Sequence, residues 1–232
     1  MAAKNYVIIW LVASFLVWLT PTPSHCADPD PLQDFCPADL NSPNFVNGFP
    51  CRNPSTVTSD DFFFDGFNRV KGTQFDLFGL NSTFGEVTTF PGLNTQGIAQ
   101  NRIRIRAGGI NQPHIHPRAT ELSRMDEGAL FVGIITTAGK FYSKIARKGE
   151  MFVVPRGLLH FELNIAKETA TFFASFNSQN PGVIRSVPAL FNSTPPVPIE
   201  VLTTAFRVNK NIIESIRANV TAELVKNGYL KP

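Results

Sequence analysis

Beyond Leu19 the sequence has no apolar run long enough to cross a bilayer, for which about 20 residues are needed, so no membrane span is expected in the mature chain. Charge of neither sign dominates. Twenty-one Lys and Arg face 18 Asp and Glu, a formal net charge of +3, and so near a balance argues against nucleic acid or an anionic membrane surface as partner. Cysteine is scarce at three residues, histidine nearly so at four, and no internal repeat of domain size is present, which favours one barrel over two.

The one long apolar run, Val7 to Leu19, follows Lys4 and is closed by Pro21, Pro23 and the small-residue stretch Ser24-His25-Cys26-Ala27. That order is a secretory leader over residues 1–26, which removes Cys26 and leaves Cys36 and Cys51 in an oxidising compartment, where two cysteines suggest one disulfide. The remaining chain, about 200 residues, is long enough for one well-buried core.

Residues 27–59 are rich in Pro, Asn and Asp without a sustained period and read as an irregular arm. Through 60–195 come short β-branched and aromatic runs, among them Ile103 to Arg106, Ala129 to Thr136, Met151 to Val154 and Thr171 to Phe176, separated by Gly, Pro and Asn. Many short strands between turn signals predict a mostly β sandwich or barrel. Residues 196–232 differ. Val201 to Val208 and Asn211 to Lys226 place Ile212, Ile213, Ile216, Val220 and Leu224 at helical spacing, with Asn209 or Asn211 to cap and Asn227-Gly228 to stop. An apolar stripe on such a tail needs cover from its own barrel or from another subunit. Sequons stand at Asn81, Asn192 and Asn219.

The chemistry concentrates in Gly108 to Glu121 and around His160. On a strand alternate side chains share a face, so His114 and His116 point the same way and can bind one ion. Glu121 can arrive from the next strand and His160 from a later hairpin. Any one of these histidines alone would read as a core or surface residue. Two at i, i+2 beside a carboxylate, with a third in a Gly/Pro-punctuated strand, point to a divalent first-row metal with room left for water or substrate. Manganese suits such nitrogen and oxygen donors, although ligand type alone does not choose among metals. By parity Asn101 shares a face with Ile103 and Ile105 and points into the barrel, opposite Arg102, Arg104 and Arg106. That arginine stripe is either a solvated strand face, a subunit contact or a site for an acidic wall polymer. Lys148-Gly149-Glu150 reads as a solvated turn, and Phe62-Phe63-Phe64 as packing.

The segments Gly108 to Glu121 and Pro155 to Asn164 resemble the two cupin boxes of germins and germin-like proteins, glycoproteins of the plant cell wall. The likeness extends to Ala27 to Cys36, to Gly48-Phe49-Pro50-Cys51 and to Phe176 to Gly182. It implies a single jelly-roll cupin β-barrel with a C-terminal α-helical extension, a Cys36 to Cys51 disulfide, and manganese held by His114, His116, Glu121 and His160. It also implies a homohexamer, a trimer of dimers with interlocking helices, in the apoplast or wall, with a role in stress or defence. Oxalate-oxidising relatives are thought to hold substrate with asparagines matched here by Asn101 and Asn111. Glu162 departs from the glutamine expected there, beside His160, and a further carboxylate would repel a dianion or demand a proton. Gln112 replaces a proline, and Leu122 to Glu127 is more polar than expected. Three readings follow: superoxide dismutation at the metal, oxalate oxidation, and a non-enzymatic protein binding a wall polymer or small-molecule ligand.

Overall fold

The computed structural model of the chain describes residues 33–44, 48–69 and 75–226; the expected leader over 1–26 and the Asn227-Gly228 stop lie outside the described residues. Among the described residues ten strands are formed: β1 (Leu80–Gly85), β2 (Ala99–Ile105), β3 (Ile110–Ile115), β4 (Glu121–Glu127), β5 (Ala129–Ile135), β6 (Phe141–Arg147), β7 (Met151–Val154), β8 (Leu159–Asn164), β9 (Ala170–Phe176) and β10 (Ile184–Arg185). They pair antiparallel in two five-stranded sheets, ordered β1-β2-β9-β4-β7 and β10-β3-β8-β5-β6. Strands distant in sequence lie side by side because the chain keeps changing sheets, the arrangement of a jelly roll.

Alternation decides which face each strand buries. On β2, Ala99, Asn101, Ile103 and Ile105 are buried while Gln100 is exposed; on β4, Glu121, Ser123 and Met125 are buried while Leu122 and Arg124 are exposed. The inward residues meet in one core holding Ile103, Ile105, Met125, Leu130 and Phe172. Between β4 and β5 the chain passes from one sheet to the other through Gly128, at φ 76°. A Cβ there would sit 2.9 Å from the Cα of Ala170, so the close crossing needs glycine.

The arginine stripe is used locally: Arg102 Nη1 donates to the carbonyl of Phe67 at 2.9 Å, and Arg104 lies over the ring of Phe75 at 5.6 Å. In the N-terminal arm Cys36 is bonded to Cys51. Closing a loop of this size restrains the unfolded chain by roughly 3 kcal/mol in the entropy model. Ala38 donates its N–H to the Pro91 carbonyl at 2.9 Å, which lays the arm on the barrel.

Three helices follow the barrel: α1 (Ser186–Phe191), α2 (Ile199–Phe206) and α3 (Lys210–Lys226). Asn209 caps α3, its Oδ1 accepting from the N–H of Ile212 at 3.1 Å. Their shared core is Phe191, Leu202, Ile213 and Val220, with Ile216 against it. The predicted stripe is narrower than expected. Ile212, a residue's rotation away from Ile213, is 44% exposed, and Val201 and Phe206 are 54% and 48% exposed.

Candidate metal centre

His114 and His160 come from neighbouring strands of one sheet. Asn111 pairs with Glu162 and His114 with His160, so three steps along β3 match two along β8, a bulge at Gln112-Pro113. On a flat strand residues three apart face opposite ways. The bulge instead turns both Asn111 and His114 inward, and His116 follows two residues later on the same side. Glu121 opens β4 in the facing sheet, and β4 lies beside β9 and β7. Four side chains from both sheets therefore converge.

Their ligand atoms all lie within 4.8 Å of one another, and all four residues are buried. Glu121 Oε2 is 3.1 Å from His116 Nε2 and 3.3 Å from His160 Nε2. Each imidazole uses its other nitrogen on a backbone carbonyl: His114 Nδ1 with Gln112 O at 2.9 Å, His116 Nδ1 with Gly182 O at 2.6 Å, His160 Nδ1 with Leu158 O at 2.9 Å. A carbonyl can only accept, so Nδ1 carries the proton in each ring and Nε2 presents a lone pair inward. His160 Nε2 is fully buried without a hydrogen bond. Three lone pairs gathered on a carboxylate in a desolvated site repel one another and suit a cation, and the donor set matches a divalent first-row metal.

Without a cation the charges adjust strongly. Burial opposes ionisation of Glu121, but His116 and His160 outweigh it and hold its carboxyl well below the ordinary range. Burial depresses His160, yet Glu121 and Glu162 more than offset this and raise it to about 9. Burial, aided by the charge of His160, pushes His114 well below its ordinary value. Burial first, then the charge of Glu121, raises Glu162 to about 8, while Asn111 and His160 pull the other way.

The group opens onto a cavity of about 200 Å³ whose wall includes Asn101, Asn111, Phe172, Glu86 and Arg185. Asn101 Oδ1 accepts from the N–H of Gly85 at 3.1 Å. Asn111 donates to Glu162 Oε2 at 2.9 Å, and Glu162 itself is not among the cavity-lining residues. Of the expected sequons, Asn81 is half-buried on β1, Asn192 follows α1 and accepts from the Thr221 hydroxyl at 3.2 Å, and Asn219 is exposed on α3.

Some residues of the site escape a reading of motifs. Ser123, fully buried, donates its hydroxyl to Glu121 Oε1 at 2.5 Å, which leaves Oε2 for the histidines. The signal was available, since Ser123 is two residues from Glu121 on the same strand face. Arg185 pairs in register with His114, which puts both side chains on the inner face. Nothing local marks Gly182 as the acceptor for His116, because that contact joins residues 66 apart.

The Cupin family model matches residues 71–214. Germin-like protein 3-3 of Oryza sativa subsp. japonica is 46% identical over 198 residues, covering 84% of this chain and 87% of the relative; Germin-like protein 5-1 of the same organism is 46% identical over 210 residues, 90% and 94% of the two chains. Among solved structures, an oxalate oxidase in complex with the substrate analogue glycolate superimposes with a TM-score of 0.79 at 43% identity, covering 83% of this chain and 97% of that one.

Proposed function

The chain belongs to the germin-like proteins of the cupin family, and we propose that it is a secreted, manganese-binding protein of the plant apoplast or cell wall that dismutates superoxide in stress or defence. The observation that carries this is the set of three Nε2 lone pairs and one carboxylate oxygen turned onto a single buried point beside a cavity. His114, His116, Glu121 and His160 would hold the ion. Four donors leave a divalent ion short of six ligands, and bound there manganese supplies one-electron chemistry between two oxidation states.

The chain's own residues would do the rest. The three carbonyls fix the imidazoles, and Ser123 fixes the carboxylate. Glu121 is the carboxylate of the donor set, while Glu162 is engaged by the Asn111 amide. Arg185 places a positive charge on the cavity wall, where Glu86 also places a carboxyl. A homohexamer, a trimer of dimers, would cover Val201, Phe206 and Ile212, and also the outer-face residues Met151 and Val153, which are 57% and 52% exposed. Glycans are proposed at Asn81, Asn192 and Asn219, and the leader over 1–26 would direct secretion.

Oxalate oxidation is the second reading, favoured by the 43% identity to an oxalate oxidase and by Asn101 and Asn111 on the cavity wall. Glu162 opposes it, because its Oε2 already engages the Asn111 amide. Metal analysis of the secreted protein, with superoxide and oxalate assays on the same sample and His116→Ala as control, tests both. Manganese near one per chain with dismutation lost in the variant supports the proposal. Bound metal with both assays silent overturns it in favour of a non-enzymatic wall protein binding a polymer or small ligand.

A further inference from the structure

The carbonyl that orients His116 belongs to Gly182, at the end of the loop 177–182 that leaves β9. One side of this loop is tied to the metal-bearing segment: Asn177 Oδ1 accepts from the N–H of Thr120 at 2.8 Å, and Arg118 donates to Asn180 Oδ1 at 2.9 Å. The other side is tied to the arm through Gln179. Its carbonyl accepts from the N–H of Val87 at 2.9 Å, its Oε1 from the N–H of Thr95, and its Nε2 donates to Asn94 Oδ1 at 3.2 Å. Asn94, 1% exposed, spends its own Nδ2 on the Phe49 carbonyl at 2.9 Å and on Cys36 Sγ at 3.3 Å. Phe49 lies two residues before Cys51. Hydrogen bonds and short stretches of backbone thus run unbroken from the disulfide to a metal-ligand imidazole.

We propose that Asn94 and Gln179 are positioning residues for His116, anchored by the Cys36–Cys51 bridge, so that reducing the bridge loosens the metal. This rests on the reading that His116 binds a metal. Ring orientation is what the Gly182 carbonyl supplies, and losing such an outer contact of a ligand histidine costs about 10- to 100-fold in metal affinity. Asn94 is buried and its amide bonds both the Phe49 carbonyl and Cys36 Sγ, so a shift of either cysteine's segment on reduction passes to it. Cys51 is the exposed residue of the pair and Cys36 the buried one, so an external thiol attacks at Cys51. Two equivalents of that thiol reduce the bridge to two cysteine thiols and leave as their own disulfide.

The test is the rate at which a chelator strips manganese from the full-length holoprotein, oxidised or treated with a dithiol. Reduction is expected to speed release about tenfold. Gln179→Ala should speed it similarly in the oxidised protein, reduction should then add little, and Gln179→Glu, which keeps Oε1 for Thr95, should restore part of the retention. Should Asn94→Ala fail to fold, the Gln179 series carries the test alone. A release rate unchanged by reduction, or effects of reduction and Gln179→Ala that multiply independently, would overturn the proposal. In metal-free protein the His116 ring resonances should move on reduction while those of His160 stay. Movement without metal binding would keep the positioning role and sink the metal reading; still resonances would sink the positioning role.

Discussion

Replacing Ser123 by alanine removes one oxygen from a fully buried position, and the consequence should be felt at the metal as well as in the fold. The Ser123 hydroxyl holds Glu121 Oε1 at 2.5 Å and so assigns Oε2 to the histidine side. A hydrogen bond to a charged acceptor contributes roughly 1.5–3 kcal/mol. At about 1.4 kcal/mol per tenfold, this weakens metal binding by roughly 10- to 100-fold if the loss falls on the bound state. The range for other outer contacts of metal ligands is about the same. Competition of wild type and Ser123→Ala for manganese against a chelator, each starting metal-free, measures it. Thermal melts of the two metal-free proteins should separate as well, because the buried Glu121 carboxylate loses the same donor there. Equal affinities, within twofold, in a folded variant would refute the argument that Ser123 orients the carboxylate.

The metal-free protein should lose stability as pH rises. His160 is raised from 6.5 to about 9 and Glu162 from 4.5 to about 8, and a raised folded-state pKa gives stability present below the unfolded value and lost through the folded one. Glu162 acts from pH 4.5 upward but the depressed His114 opposes it up to about 6.5, so melting temperatures should fall between about pH 6.5 and 9, and a flat or rising profile there contradicts the charge assignment. Glu121 acts at the other end, since its depressed pKa gives stability above 4.5 that is lost on acidification. Glu162→Gln should leave manganese retention within a few-fold while removing a buried ionisable group, so the alkaline part of that profile flattens; it also tests whether peroxide now appears with oxalate. Phe172→Ala, at 1% exposure in the barrel core, should cost about 3–5 kcal/mol in denaturant unfolding.

Much of this molecule can be seen in its sequence because two periods coincide with two kinds of burial. Asn101, Ile103 and Ile105 fall on one face by parity, and β2 buries that face. The same rule finds Glu121 with Ser123 and His160 with Glu162. The helical tail shows itself through Ile213, Ile216 and Val220, yet the width of its stripe does not, because Ile212 stays 44% exposed among the described residues. What stays hidden is contact between distant residues: the Gly182 carbonyl on His116, the Asn94 amide on Cys36, the register that sets Arg185 beside His114.

Asn111 shows where parity misleads and why. Placed in a Gly-rich approach to Pro113, it looks like a turn residue, and counting by twos from His114 would send it to the outer face. It is buried on β3 with its amide on Glu162, because the bulge at Gln112-Pro113 absorbs one residue and reverses the count. Proline explains the tolerance: it has no N–H to offer the ladder, so the strand gives up little by leaving register there. The same residue that stiffens the approach to His114 therefore also decides that Asn111 belongs to the site. A Pro113→Ala change restores a ladder N–H and removes that reason for the bulge. Metal affinity should then fall along with the Asn111–Glu162 contact, and a structure of the variant with Asn111 still facing inward would show that the bulge is fixed by something other than Pro113.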